Sequence, residues 1–207
     1  MYDIKLNLSR DVNLMMSFLK IFIVNLLALT AISVTNTHAG QVDLIKQMMS
    51  GVNILMIRHA YAPGSDDPDN FKVGDFTTQR NLDDRGREQA RSIGDWLRPK
   101  GIKADKVYSS QWCRCLETAR LLDLGTVAEL SALNSFYEFP KDREPNIEAL
   151  RSFIANLPAN GDLIIMVTHF VTILEITGEG VSSGEGVVLK LKGKGTYDVQ
   201  GRLSFGF

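Results

Sequence analysis

The chain has 207 residues, 44% of them hydrophobic and 23% charged, with a formal net charge of -1. These values exclude a disordered, fibrous or multi-span membrane protein and allow one domain with a sizeable core. A near-neutral balance gives no reason to expect nucleic acid as a partner, so any anion selectivity has to come from a local cluster.

The N-terminus differs in kind from the rest. Residues 16–40 read MSFLKIFIVNLLALTAISVTNTHAG. Lys20 is a short cationic lead, Ile21 to Val34 is mostly apolar, and Thr37 and Ala39 place small residues before Gly40. That is the layout of a secretory signal peptide. The reading assigns 1–39 to the signal and 40–207 to a single domain. The alternative is an uncleaved membrane anchor, although the apolar run is shorter than the roughly 20 residues a spanning helix wants. Either way the protein is expected to be exported, to the periplasm or another extracytoplasmic space. Beyond Ala39 the histidines are His59 and His169, and both end apolar runs.

After a polar lead, Gln41 to Ser50, Val52 to Ile57 reads as a fully buried strand. Pro63 to Asn70 is a turn-rich loop. Asp83-Asp84 caps a helix beginning near Arg85, with Ala90, Ile93, Trp96 and Leu97 on one face and Pro99 and Gly101 at its end. Lys106 to Ser109 is a second strand, Gln111 to Leu122 a second helix and Val127 to Leu130 a third strand. Phe136 to Pro145 reads as a loop. Ile147, Leu150, Ile154 and Leu157 mark another amphipathic helix. Leu163 to Val167 is the most hydrophobic strand and ends in Thr168-His169. A brief helix covers Val171 to Ile176. Gly184 to Lys192 and Tyr197 to Phe205 alternate as the strands of a terminal hairpin. Strands alternating with helices predict a three-layer α/β/α fold, its sheet mostly parallel, with helices on both faces and a C-terminal β-hairpin.

Cys113 and Cys115, two apart on the second predicted helix, point to different faces, so no mutual disulfide is expected. They read as small packing thiols, with too few ligands nearby for a metal.

In such folds ligands sit beyond the carboxyl ends of the parallel strands. Arg58-His59, Ser109-Ser110 and Thr168-His169 all arrive at that rim. The chemistry these residues offer suits a phosphomonoester. Its dianion needs cations and donors, and the reaction needs an in-line nucleophile and a proton for the leaving group. Arg58 and Arg114 can each present a planar fork to phosphate oxygens. His169 can donate a further hydrogen bond. His59 can attack through a ring nitrogen, giving a phosphohistidine that water hydrolyses. The neighbouring guanidiniums keep it neutral, and its other ring nitrogen needs an acceptor, expected to be a backbone carbonyl. No cofactor and no metal is required by this scheme.

The same residues carry a resemblance. LMIRHA resembles the strand of the histidine phosphatase superfamily (phosphoglycerate mutase-like) that ends in Arg-His-Gly, with Ala60 in place of the glycine. NLDDRGREQARSIGDWL resembles that family's helix start through Leu82, Gly86, Gln89 and Ala90, with Asp83 in place of a threonine. VYSSQWCRCLETA resembles its Ser-Ser-x-x-x-Arg-x-x-x-Thr-Ala element through Ser110, Arg114, Thr118 and Ala119. IIMVTHF resembles the strand bearing its second histidine. The resemblance runs from about Asn53 to Phe170. It implies that His59 is phosphorylated and that Arg58, Arg114 and His169 complete the phosphate pocket. Members acting on alkyl phosphates carry a glutamate in a Leu-x-Glu element, where this chain has Ser135. Glu138, three residues on, is the candidate general acid, followed by Asp142.

The expected partner is therefore a small phosphorylated substrate, such as a sugar phosphate or a cell-envelope phosphate. An exported member with Arg-His-Ala is also similar to the lipopolysaccharide core heptose phosphatases. Two alternatives stay open. Without an acid the enzyme would prefer phosphoramidates such as phosphohistidine. A pseudophosphatase would bind phosphorylated ligands without turnover, but it would need the cations and not the nucleophile. Tyr61, Phe136 and Tyr137 are candidates for an aromatic lining.

Overall fold

The structure, a computed structural model, describes residues 40–206 apart from 51, 52, 105, 159, 160 and 194. The expected signal segment, 1–39, lies outside the described residues. Packing sets Asp43–Phe207 apart as one compact unit, and the fold below is that unit's.

In chain order the elements are β1 (Asn53–Arg58), α1 (Asp84–Leu97), β2 (Lys106–Ser109), α2 (Cys113–Leu122), β3 (Thr126–Glu129), α3 (Arg143–Ala155), β4 (Ile164–Thr168), α4 (Phe170–Thr177), β5 (Gly186–Gly193) and β6 (Thr196–Leu203). The sheet order is β3-β2-β4-β1-β5-β6. The first four of these strands run parallel, while β5 and β6 are antiparallel and form the expected hairpin at one edge.

The continuous apolar run of β1 follows from its central place. Leu55 and Ile57 point into one layer, where they meet Ile93, Leu97, Ala119 and Leu122 of α1 and α2. Ile54 and Met56 point the other way, toward Leu150, Ile154 and Ile173 of α3 and α4. Successive strand residues face opposite sides, so a strand covered on both faces has no position to spare for a polar side chain. This is the three-layer arrangement that the sequence predicts.

Helix α1 starts where Asp83 accepts the Gly86 N–H at 2.8 Å, an N-cap that satisfies one otherwise unpaired donor. Two glycines let it pack closely. A Cβ at Gly86 would lie 1.9 Å from the Tyr61 carbonyl oxygen, and one at Gly94 would lie 2.0 Å from that of Leu122. The helix thus presses on the backbone just after His59 and on the end of α2.

One element is added to the sequence reading and one expectation is corrected. The polar lead is helical over 43–49, because Leu44 and Met48, one turn apart, are buried in the core. Phe136 to Pro145 is not all loop. A 3-10 turn covers Pro140–Asp142 and α3 already begins at Arg143. Pro145 falls in the first helical turn, where no backbone N–H is needed.

Candidate active site

The parallel strands end together. His59 donates its backbone N–H to Thr168 O at 2.9 Å, and Ser110 donates its own to Val167 O at 2.9 Å. Arg58-His59, Ser110 and His169 are therefore held at one rim, with Arg114 supplied by the first turn of α2. Arg58, His59, Arg114, Glu138 and His169 all line one cavity of about 510 Å³. The predicted site residues are brought together.

His59 is 3% exposed. Its Nδ1 lies 2.8 Å from the Ala60 carbonyl oxygen. A carbonyl only accepts, so Nδ1 carries the hydrogen and Nε2 keeps its lone pair. This is the backbone acceptor that the sequence calls for. Nε2 in turn receives the Nε–H of Arg114 at 3.2 Å. Thr118 explains the remaining geometry: its Oγ1 accepts the Ala60 N–H at 3.0 Å and donates to Arg114 O at 2.7 Å. One hydroxyl thus ties the backbone after the nucleophile candidate to the helix that carries Arg114. Gln89 does similar work from α1, accepting the Tyr61 N–H at 2.8 Å and donating to Ser183 O at 2.9 Å.

His169 is equally buried, at 3% exposed. Its Nε2 meets Ser110 Oγ at 2.8 Å, and that hydroxyl also lies 3.2 Å from Asn134 Oδ1. The two imidazoles stand edge to face with centroids 5.5 Å apart. Burial first, then the Arg114 charge, holds the pKa of each well below the ordinary 6.5. Both rings are therefore neutral near pH 7.

Arg58 donates from Nη1 to Val181 O at 3.1 Å and sits 5.5 Å from the Phe170 ring centroid. Its Nε is buried without a hydrogen-bond partner. Burial first, and then the Arg114 charge, lowers its pKa.

Glu138 also lines the cavity. Its Oε1 accepts the Asp67 N–H at 2.8 Å, while Oε2 is buried with no hydrogen-bond partner. Asp142, the second candidate, is the residue before α3 and does not line this cavity. Ser135 does line it, but its Oγ is engaged by the Tyr137 N–H at 3.2 Å. Of the aromatic candidates, Tyr61 and Tyr137 reach the cavity, whereas Phe136 packs in the core. Cys115 is buried 3.4 Å from His169 Nε2, and burial pushes its thiol up to about 12. Among the described residues no cluster of side chains is suited to hold a metal ion.

Two residues of the site escape the sequence reading. Arg80 is a third guanidinium in the cavity wall, donating from Nη1 to Ala62 O at 2.7 Å, and its Nε has no partner. Asp67 joins Arg114 in an ion pair whose side chains are 3% and 2% exposed. Nothing in the string separates Asp67 from Asp66 or Asp69, all of which suit a turn. Arg80 lies between elements and follows no periodicity.

Over residues 54–140 the chain matches the family model described as histidine phosphatase superfamily, branch 1. The mitochondrial serine/threonine-protein phosphatase Pgam5 of Drosophila virilis is 40% identical over 81 residues, 39% of this chain and 25% of the relative. That of Drosophila willistoni is 38% identical over 73 residues, 35% of this chain and 22% of the relative. The chain spans about a quarter of the length of these curated relatives. Among solved structures, the protein histidine phosphatase SixA complexed with tungstate superposes with a TM-score of 0.54 at 15% identity, over 74% of this chain and 97% of that one. A mycobacterial glucosyl-3-phosphoglycerate phosphatase with VO3 gives 0.53 at 14% identity, over 71% and 96%. At such identity the structural likeness is one of fold.

Proposed function

From the match of residues 54–140 to the histidine phosphatase superfamily, we propose that the chain is a phosphatase that hydrolyses a phosphomonoester through a phosphohistidine on His59, with no metal. The observation that carries this reading is the state of His59. Its Nδ1 is committed to a backbone carbonyl, and its Nε2 lone pair faces a cavity walled by guanidiniums.

In this scheme Arg58, Arg80, Arg114 and His169 surround the non-bridging oxygens. The charge that builds on those oxygens is met by donors already in place. The Arg114 Nε–H, which Nε2 accepts before substrate binds, shifts to a phosphoryl oxygen on binding, so the lone pair is free before it attacks. Nε2 of His59 attacks phosphorus, the bond to the leaving oxygen breaks, and Glu138 delivers a proton to that oxygen. In the second half Glu138, now a carboxylate, takes a proton from water as the water attacks phosphorus. Phosphate departs and Nε2 recovers its lone pair.

The free oxygen of Glu138 favours phosphomonoesters over phosphoramidates, because an alkoxide leaving group needs a proton most. Serine and threonine phosphates belong to that alkyl class, which is the class named for the Pgam5 relatives. Sugar phosphates and envelope phosphates belong to it too. For location we propose export, which rests on the 16–40 pattern alone. Cell fractionation with N-terminal sequencing of the recovered protein tests it, and an intact N-terminus in the cytoplasm overturns it.

The activity is tested with p-nitrophenyl phosphate in excess EDTA, beside His59→Ala. Metal-independent turnover that vanishes in the variant supports the reading. Turnover unchanged in the variant refutes the mechanism. No turnover in either folded protein moves the reading to a pseudophosphatase.

A further inference from the structure

One aspartate holds several parts of the site together. Asp67 offers both carboxylate oxygens to Nη1 of Arg114, each at 2.9 Å. Oδ1 also accepts the Arg80 backbone N–H at 2.8 Å, and Oδ2 accepts the Trp112 indole N–H at 3.1 Å. The backbone N–H of Asp67 is the donor to Glu138 Oε1 at 2.8 Å. So the carboxylate grips the phosphate-binding cation, and the same residue's backbone grips the acid.

A buried ion pair is costly unless the remaining lone pairs are met. Here the backbone of Arg80 and the indole of Trp112 meet them. This network anchors the guanidinium at Nη1. With Nη1 tethered, Nε is aimed at Nε2 of His59 at 3.2 Å. No hydrogen bond of the described residues engages Nη2, which leaves that edge for phosphoryl oxygens. Stabilisation of a transition state needs donors held to within about 0.5 Å, by partners that are themselves locked. Asp67 lies on a loop, 47 positions from Arg114 on α2, and it supplies that lock.

We infer that Asp67 is the positioning residue of the site: it sets the Arg114 guanidinium against His59 and, through its backbone, keeps Glu138 on the same wall. The inference rests on the phosphatase reading above. The rival role is an anionic plug that competes with phosphate for Arg114.

The test is a double-mutant cycle with Asp67→Asn and Arg114→Ala, read by kcat on p-nitrophenyl phosphate and by vanadate affinity in calorimetry. Circular dichroism melts establish that each variant is folded. Where Arg114→Ala does not fold, Arg114→Gln serves as the background. Where Asp67→Asn does not fold, Asp67→Glu keeps the charge and displaces the guanidinium by one methylene. A positioning role predicts that Asp67→Asn lowers both readouts about tenfold or more in the wild-type background. On Arg114→Ala the same change costs less than about twofold, because its route of action is gone. Equal losses in both backgrounds would mean a scaffold role and overturn the inference. A gain in activity would mean a plug, and no change in a folded variant would end it as well. If the wild type shows no His59-dependent turnover, the phosphatase reading fails, and the vanadate arm still decides the role of Asp67.

Discussion

The ends of β1 and β4 are built alike and wired differently. Each strand runs apolar and then delivers a histidine that is 3% exposed and held neutral by burial and by Arg114. His59 rests on a backbone carbonyl, which can only accept. His169 rests on the Ser110 hydroxyl, which can donate or accept. The first arrangement dictates one tautomer, as a nucleophile requires. The second lets a ring adjust its proton as charge moves past it. Burial alone does not assign a role to a histidine; the partner of its other nitrogen does.

The comparison breaks most visibly if the two rings are interchangeable. His59→Ala is expected to lower kcat on the order of ten-thousandfold or more, since it removes the attacking atom. His169→Ala removes one positioned donor and is expected to cost about a hundredfold. Equal losses, measured on purified protein with p-nitrophenyl phosphate, would erase the distinction. Glu138 sharpens it from the leaving-group side. Glu138→Gln should slow an alkyl phosphate about a hundredfold and an aryl phosphate less than tenfold, because the aryl oxygen leaves with little help. Similar losses on both would remove Glu138 from the acid role.

The pH dependence of stability treats the two rings together. Both folded-state pKa values lie well below 6.5, so on acidification the unfolded chain takes up the protons first. The stability from keeping them neutral is full above about pH 6.5 and is lost as pH falls toward the folded values. Each ring contributes a slope of about 1.4 kcal/mol per pH unit. Urea titrations between pH 7 and 5 should show it, and His169→Gln should remove about half. A smaller effect is expected at Thr118. Thr118→Val leaves the buried Ala60 N–H without its acceptor and should cost about 1–3 kcal/mol, read as a lower urea midpoint. An unchanged midpoint would mean that the backbone after His59 is held by other means.

The sequence carried the rim well and the loops poorly, for physical reasons. A strand buried on both faces cannot hide an arginine or a histidine, so Arg58-His59 and Thr168-His169 announce the point where the core ends. Arg114 is readable because Ser110 and Thr118 fix its place on α2. Asp67 and Arg80 depend on contacts between segments far apart in the chain, such as the bond from Arg80 N to Asp67 Oδ1. No local period encodes those contacts. Glu138 is readable as a candidate, but its anchoring to Asp67 is not. The helix over 43–49 was hidden because its core face is short: Leu44 and Met48 are buried and Ile45 packs beside them, less than two full turns of pattern.

The position of β1 also sets when the site can exist. This first strand pairs with β4 on one side and β5 on the other, so Ile54 lies opposite Ile164 and Leu189. A nascent chain that has emerged only as far as residue 160 contains His59, Arg58 and Arg114 but neither neighbour of β1. Its most apolar strand then has both edges unpaired, a hazard for aggregation. Pairing across such sequence separations is slow because the loop must close before any contact is gained. The pocket is therefore among the last parts of the molecule to form during synthesis, and ribosome-released chains should acquire phosphate-binding competence only after β5 has joined the sheet.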